Sequence, residues 1–568
     1  MAQTNCASLL PGQQDGIQSP AAARAHLLRC SLGKRPLWAT PALVPRICTR
    51  GARRFLYSIL LSGQYDVRTL VSSAKRVFAF SVLAVGGLVA LLSWNPAEPR
   101  HRGPATPLTI YCAAGLKPAV EPVAREYQRS FGVPVQLQYG GSGTLLSNLR
   151  VAGRGDLFIA ADESYLEIAR SNRLAAEIIP LAHMTPVLAV RAGNPKGIHT
   201  LADLLRPDVA VAMANPDAAA VGKIVRDLLR RSGEWAVLEK RIKVFKPTVN
   251  DVANDLKLGT VDVGIIWDAT ARQYPELEAV HLSALDSAKN SVAVAVLTCS
   301  AQPTAALRFA RYLGARDRGL RELARAGYQA VEGDVWAEQP AVVLYSGGVN
   351  RLAIEGTLDQ FERREGAKVT RVYNGCGILV SQIKSGQRPD AFFACDASFL
   401  NDVRDRFANP VELSETDMVL LVPNGNPRNL RAPGDLAQAG LRLGVGNAKQ
   451  TALGALTEKG LKEAGLLEAV MANVKVQTPT ADLLVNQMRT GSLDAVIVFA
   501  ANTSQVRGTL DVIPLKIPGG KAIQPYAVSR DSDHRLLMDR LLAALQTAES
   551  QQQFEAVGFR WRSGQNAP

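Results

Sequence analysis

The first half of this 568-residue chain returns, motif by motif, in the second half at a near-constant offset, and that restricts what the chain can fold into. Ile110-Tyr111 reappears as Leu344-Tyr345, and Tyr139-Gly140-Gly141-Ser142-Gly143 as Tyr373-Asn374-Gly375-Cys376-Gly377. Asp156-Leu157-Phe158-Ile159-Ala160-Ala161-Asp162 matches Asp390-Ala391-Phe392-Phe393-Ala394-Cys395-Asp396, all at an offset of 234. The offset then settles at 232: Asn194-Pro195 matches Asn426-Pro427, Gly222 matches Gly454, and Gly259-Thr260-Val261-Asp262 matches Gly491-Ser492-Leu493-Asp494. Solenoid units repeat every ~20–50 residues, so a period this long means two complete domains in tandem. Their expected extents are 107–338 and 341–565, with Gln339-Pro340 at the joint.

The formal net charge of +14 would fit a nucleic-acid binder, but its distribution argues otherwise. Residues 1–76 carry eleven Lys/Arg against two Asp/Glu, which leaves little excess charge for the two repeats. No basic stripe with interleaved aromatics runs along either repeat, so no nucleic-acid partner is expected. The basic segment 1–76 shows no sustained period and reads as a disordered cytoplasmic tail. Lys75-Arg76 ends it, and Val77 to Trp94 follows, eighteen residues without a charge. That length is just sufficient for a transmembrane helix, and the preceding positive charge keeps the N-terminus inside and places both repeats outside the cytoplasm. A cleaved signal segment, leaving a soluble periplasmic protein, is the alternative, although Asn95-Pro96-Ala97 makes a poor cleavage site. Residues 95–106 form a proline-rich linker. Seven cysteines are too few for a disulfide scaffold, and Cys112 lies within an apolar run rather than at a lipid-anchor position. An exported location permits disulfides, and a Cys376–Cys395 bridge is left open.

Each repeat alternates short apolar runs with helical stretches. Thr109–Cys112, Val135–Tyr139, Asp156–Ala160, Val187–Val190, Val209–Ala212, Ile242–Phe245 and Val263–Trp267 are expected strands of repeat one. Such alternation predicts an α/β fold with parallel sheets covered on both faces. Each repeat ends in an amphipathic helical region, 303–327 and 533–558. The pattern divides each repeat into two lobes, with the chain leaving lobe one near residue 185 and returning near 291–297 (411 and 526 in repeat two). A cleft between lobes joined by crossing strands traps ligands.

The Gly-Gly-Ser-Gly-Thr turn at 140–144 follows a strand and opens a helix. Glycines allow close backbone approach, and the amides of a helix N-terminus point at whatever fills the turn. Ser142 and Thr144 add hydroxyls, so the turn suits an anion held by neutral donors, or a plain capped joint. The helix near Gly222, matched by Gly454, is a second candidate anion end. Trp267 and Phe499 each end an apolar strand and suit either core or ligand wall.

Both repeats resemble the extracellular solute-binding proteins of molybdate/tungstate ABC importers, a branch of the type II periplasmic binding fold. The resemblance rests on the Gly140–Leu145 turn, the Asp156–Asp162 strand end, Gly259–Ile266 and Ala556-Val557-Gly558-Phe559. It implies an oxyanion ligand, an ABC permease and ATPase as partners, and no cofactor. In that family two serines, lobe-two amides and a tyrosine hydroxyl hold the oxyanion. The first serine position is Gly115 here and Val349 in repeat two; the second is Ser142 and Cys376, followed by Gly143 and Gly377. The amides fall near Val221 and Val252, or Leu453 and Leu484, and the tyrosine position is Trp267 or Phe499. Indole N–H donates whereas phenyl does not, so repeat two lacks three side-chain donors. Each buried ligand acceptor left unpaired costs ~1–3 kcal/mol, which disfavours tight molybdate binding by repeat two. No zincin, nucleophile-elbow, phosphate-loop or paired-cysteine pattern is present, so no enzymatic activity is expected. A membrane-anchored sensor or scaffold for another small molecule is the competing function.

Overall fold

The computed structural model describes residues 106–566. The tail 1–76, the span 77–94 and the linker to 105 lie outside the described residues. Among the described residues no helix is long and apolar enough to cross a membrane.

Repeat one contains two sheets. The first has the order Gln329–Ala330, Ala175–Met184, Asn290–Leu297, Leu157–Ala160, Leu108–Ala113, Val135–Gly140. The second has the order Ile242–Lys246, Val211–Ala214, Val263–Trp267, Pro186–Arg191, Leu277–Val280. Leu157–Ala160 is buried at every position, as a strand covered on both faces must be. The expected parallel sheets are in fact mixed. Leu108–Ala113 pairs in parallel with both neighbours, but Asn290–Leu297 runs antiparallel to Leu157–Ala160. The antiparallel strands are those on which the chain passes between lobes. Thr185 is the outward crossing, pinned where its N–H donates to Asp268 Oδ1 (3.1 Å) and its carbonyl accepts from Asp268 N (2.9 Å).

Repeat two is built alike, except that one long strand, Phe407–Pro423, runs through both lobes and joins the two sheets into one. It pairs with Lys521–Ser529 in the first lobe and with Ala495–Phe499 in the second. Each terminal amphipathic region is two helices, Pro303–Leu313 with Gly319–Arg325 and Arg535–Leu545 with Ala548–Val557.

The repeated Asp-to-Asp motif is a brace. Asp156 Oδ2 accepts Thr109 N–H at 2.8 Å and Oδ1 accepts Ser300 Oγ–H at 2.6 Å. Asp390 does the same with Val343 N–H (2.7 Å) and Ser532 Oγ–H (2.6 Å). The closing Asp162 and Asp396 cap the next helices by accepting Ser164 and Ser398 N–H. These residues recur because the lobe-one sheet needs them, not because a ligand does.

The two repeats pack through lobe one of each. Glu365 is buried between Arg311 and Arg540, accepting from Arg311 Nη1 at 3.0 Å and from Arg540 Nε at 2.6 Å. Arg364 grips Glu177 with two bonds of 2.7 and 2.8 Å. Asp334 accepts the Leu536 and Leu537 amides at 2.9 and 3.0 Å, at the start of the Arg535–Leu545 helix. All these partners belong to lobe-one elements, so neither lobe two is tied by them and each cleft is free to open on its own.

The final strand, Arg560–Asn566, is held against Phe407–Pro423 by charge. Burial alone would raise the Glu415 carboxyl, but Lys521, Arg562 and Arg560 pull it down to about 2. Glu415 therefore stabilises the fold fully above its ordinary value of 4.5 and loses that contribution as pH falls toward 2. In denaturant unfolding, wild type should exceed Glu415→Gln in stability at pH 7, and the gap should close between those two values. A constant gap would mean that the carboxylate does not act through its charge.

Candidate functional site

In each repeat a small cavity lies between the lobes. The cavity of repeat one encloses about 20 Å³ and is lined by Ala113–Gly115, Gly140–Ser142 and Ala161 from lobe one, and by Ala219, Ala220, Thr248, Val249 and Trp267 from lobe two or its edge. So small a space between the two walls means that the lobes are closed on one another.

The local sequence explains why donors converge there. The helices Ser142–Ala152, Ala220–Ser232 and Val249–Leu258 all begin at this cavity. The first two have Gly141 and Ala219 as N-caps, with no side chain taking up their orphan amides. The third is set by a capping box in which Thr248 Oγ1 accepts Asp251 N–H and Asp251 accepts Thr248 N–H. Three helix N-termini meet at a wall without a single charged side chain; Asp251, in the first turn of the third helix, is engaged in the capping box and does not line the cavity. Ser142 is 1% exposed, and its Oγ accepts Ala161 N–H at 3.1 Å. Its own hydroxyl hydrogen is thus available for donation.

The lobes meet at the glycine turn. Gly143 N–H donates to Ala218 O at 2.9 Å, and Thr144 N–H reaches the same oxygen at 3.4 Å. A Cβ on Gly141 would stand 2.3 Å from Ala218 O and 2.9 Å from Pro247 O, both on lobe two. In repeat two Gly377 N–H donates to Gln450 O at 3.0 Å, and a Cβ on Gly375 would stand 2.3 Å from the same oxygen.

Of the predicted residues of repeat one, Gly115, Ser142 and Trp267 share the cavity wall. The amides of Gly143 and Thr144 join the lobes instead of facing the cavity. Val221 is fully buried one residue behind the wall, and Val252 packs deeper, its N–H directed to Thr248 O at 3.4 Å. The Thr248-to-Asp251 capping signal places the helix start, and hence its free amides, at Val249 and Asn250, three residues earlier than expected. A Cβ on Gly115 would approach Val249 Cγ2 to 3.1 Å, a tight contact that a small shift of the valine relieves. Ala113 and Ala114 also line the wall; they contribute backbone and small side chains, for which residue type gives no signal.

The cavity of repeat two encloses about 30 Å³, and its wall includes the predicted Val349, Leu453 and Phe499. Leu484 is buried in the lobe-two core, and Asp482 takes the place expected for it. Cys376, at the Ser142 position, is joined in a disulfide to Cys395, at the Ala161 position. The hydroxyl donor of repeat one is therefore replaced by a covalent tie. Thr451 Oγ1 also accepts Gly454 N–H at 2.8 Å, using up an amide that its counterpart Ala219 leaves free.

The profile of the bacterial extracellular solute-binding proteins matches this chain twice, over residues 108–329 and 342–560. The molybdate-binding protein ModA of Mycobacterium tuberculosis is 28% identical over 254 residues, 44% of this chain and 95% of that protein. ModA of Escherichia coli is 24% identical over 174 residues, 29% of this chain and 66% of that protein. The periplasmic molybdate-binding protein of Azotobacter vinelandii superposes with a TM-score of 0.35 at 17% identity, covering 40% of this chain and all of that one. With the profile matched in both repeats, the chain belongs to the bacterial extracellular solute-binding protein family.

Proposed function

We propose that the protein captures a tetrahedral oxyanion of the molybdate/tungstate type in the cleft of repeat one, outside the cytoplasm, and hands it to an ABC permease and its ATPase. One observation carries this reading: three helix N-termini and the buried Ser142 hydroxyl converge on a cavity whose wall holds no charged side chain. Dipolar donors stabilise an anion in a dry cleft without the desolvation that a buried lysine or arginine would incur. The related ModA proteins favour the oxyanion assignment. Ligand enters with the lobes apart, and the Gly143–Ala218 bond forms on closure, so binding and closure are linked. The small closed cavity excludes bulky organic ligands.

The test is calorimetric titration of the full chain and of Ser142→Ala with molybdate, tungstate and sulfate. Losing one hydrogen bond to a charged acceptor costs about 2 kcal/mol, so the variant should bind about thirtyfold more weakly. Equal affinity in the two proteins would remove Ser142 from the site, and no heat with any oxyanion would remove the ligand assignment.

A further inference from the structure

The cleft of repeat two is chemically unlike that of repeat one, and the geometry points to a ligand of opposite character: a small alkylammonium ion. The inference rests on reading the interlobe cleft as the ligand site, which repeat one motivates, but not on the oxyanion itself.

Three replacements carry it. Asn250 of repeat one corresponds to Asp482, which lines the second cavity in the first turn of the Ala481–Arg489 helix. A carboxylate there satisfies or cancels the helix-end potential that would otherwise attract an anion. Thr270, a hydroxyl that can donate and whose Oγ1 is likewise buried without a partner, corresponds to Asn502, which lines the cavity, hydrogen-bonds Asp482 and keeps a buried Oδ1, an acceptor only, with no partner. A buried acceptor without a partner is costly and calls for a donor from the ligand. Trp267 corresponds to Phe499, which lines the cavity with an apolar ring that has no N–H or O–H to offer an anion. The donors of repeat one are meanwhile withdrawn, Ser142 into the Cys376–Cys395 disulfide and the helix amide at Gly454 onto Thr451.

The wall thus offers two acceptors, Asp482 and Asn502 Oδ1, against an apolar face of Val349, Leu453 and Phe499. An ammonium group supplies N–H donors and a positive charge to the first, and a short alkyl group meets the second. The charged neighbour that reaches Asp482 is Arg351. Its side chain is 61% exposed and lies 3.7 Å from Glu355, so solvent and that carboxylate screen it. A divalent oxyanion, by contrast, would face the Asp482 carboxylate directly.

The experiment is titration of the full chain with methylammonium chloride, with sodium chloride as the ionic-strength control, on wild type, Asp482→Asn and Ser142→Ala. The expected result is one saturable methylammonium site per chain, weakened at least about tenfold by Asp482→Asn and unaffected by Ser142→Ala. Asp482 is exposed, and a circular-dichroism spectrum and chemical unfolding curve of the full-chain Asp482→Asn variant that match wild type show that it folds. No saturable binding up to ~10 mM, binding indifferent to Asp482→Asn, or displacement of methylammonium by molybdate overturns the inference. Asp482-dependent methylammonium binding without any oxyanion binding sustains it while refuting the reading of repeat one; oxyanion binding alone does the reverse.

Discussion

Gly141→Ala should abolish high-affinity oxyanion binding while leaving the unliganded protein as stable as wild type. The added Cβ would lie 2.3 Å from Ala218 O and 2.9 Å from Pro247 O. Both obstacles are backbone, so neither moves aside as a side-chain tip would. The lobes must stay apart, which removes the Gly143 N–H to Ala218 O bond (2.9 Å) and separates the Ser142 donor from those of lobe two. Affinity falls by the fraction of molecules still able to close, and about 3 kcal/mol from the lost closing bonds alone corresponds to roughly a hundredfold. The three nearest obstacles all belong to lobe two, and Gly141 has ordinary extended backbone angles, φ −69° and ψ 146°, so the fold of lobe one should tolerate the methyl group. Small-angle scattering should show ligand-dependent contraction in wild type and none in the variant. Wild-type affinity in Gly141→Ala would mean that the ligand does not require this closure.

The largest stability effect is expected at the junction of the repeats. Glu365 has a side chain only 2% exposed, between Arg311 at 8% and Arg540 at 12%. Burial disfavours its charge, but Arg540 and Arg311 outweigh that and hold the carboxyl below its ordinary range. Glu365→Ala leaves two buried guanidinium groups without the carboxylate that hydrogen-bonds both, with Asp334 and Glu177 acting on Arg540 only from further off, a change that typically costs about 3–5 kcal/mol. Glu177→Ala, which breaks a pair more exposed than the Glu365 triad (Arg364 34%, Glu177 21%), should cost about 1 kcal/mol. Chemical denaturation of both variants checks the contrast. If Glu365→Ala also splits unfolding into two transitions, the triad couples the repeats as well as stabilising them. A loss no larger than that of Glu177→Ala would show that the triad is not what joins them.

The tandem arrangement was legible because a shared offset needs no knowledge of structure: any pair such as Asp156 and Asp390 reports it. The lobe crossings were legible too, since apolar strands on either side of residue 185 needed separate sheets. Strand direction was not, because an antiparallel crossing strand and a parallel core strand are both continuous apolar runs. The site was half legible. Ser142, Gly115, Trp267, Val349, Leu453 and Phe499 reach the cavity walls because turns and strand ends fix them. Val252 and Leu484 lie three and two residues past the cavity-lining Val249 and Asp482, since apolar periodicity locates a helix face better than its first residue. The Thr248-to-Asp251 pair held the missing information. Asp482 and Asn502 lay beyond sequence reasoning, because twenty residues separate them and only the packing of the Ala481–Arg489 helix beside the end of Ala495–Phe499 brings them to one wall.

The most direct measurement is the stoichiometry of molybdate on the full chain by isothermal titration calorimetry. Neutral donors gathered in one cleft and a carboxylate with a disulfide in the other predict one molybdate per chain, with affinity lowered by Ser142→Ala and unchanged by Asp482→Asn. Two per chain would contradict the chemical division between the clefts, and none would contradict the oxyanion site itself.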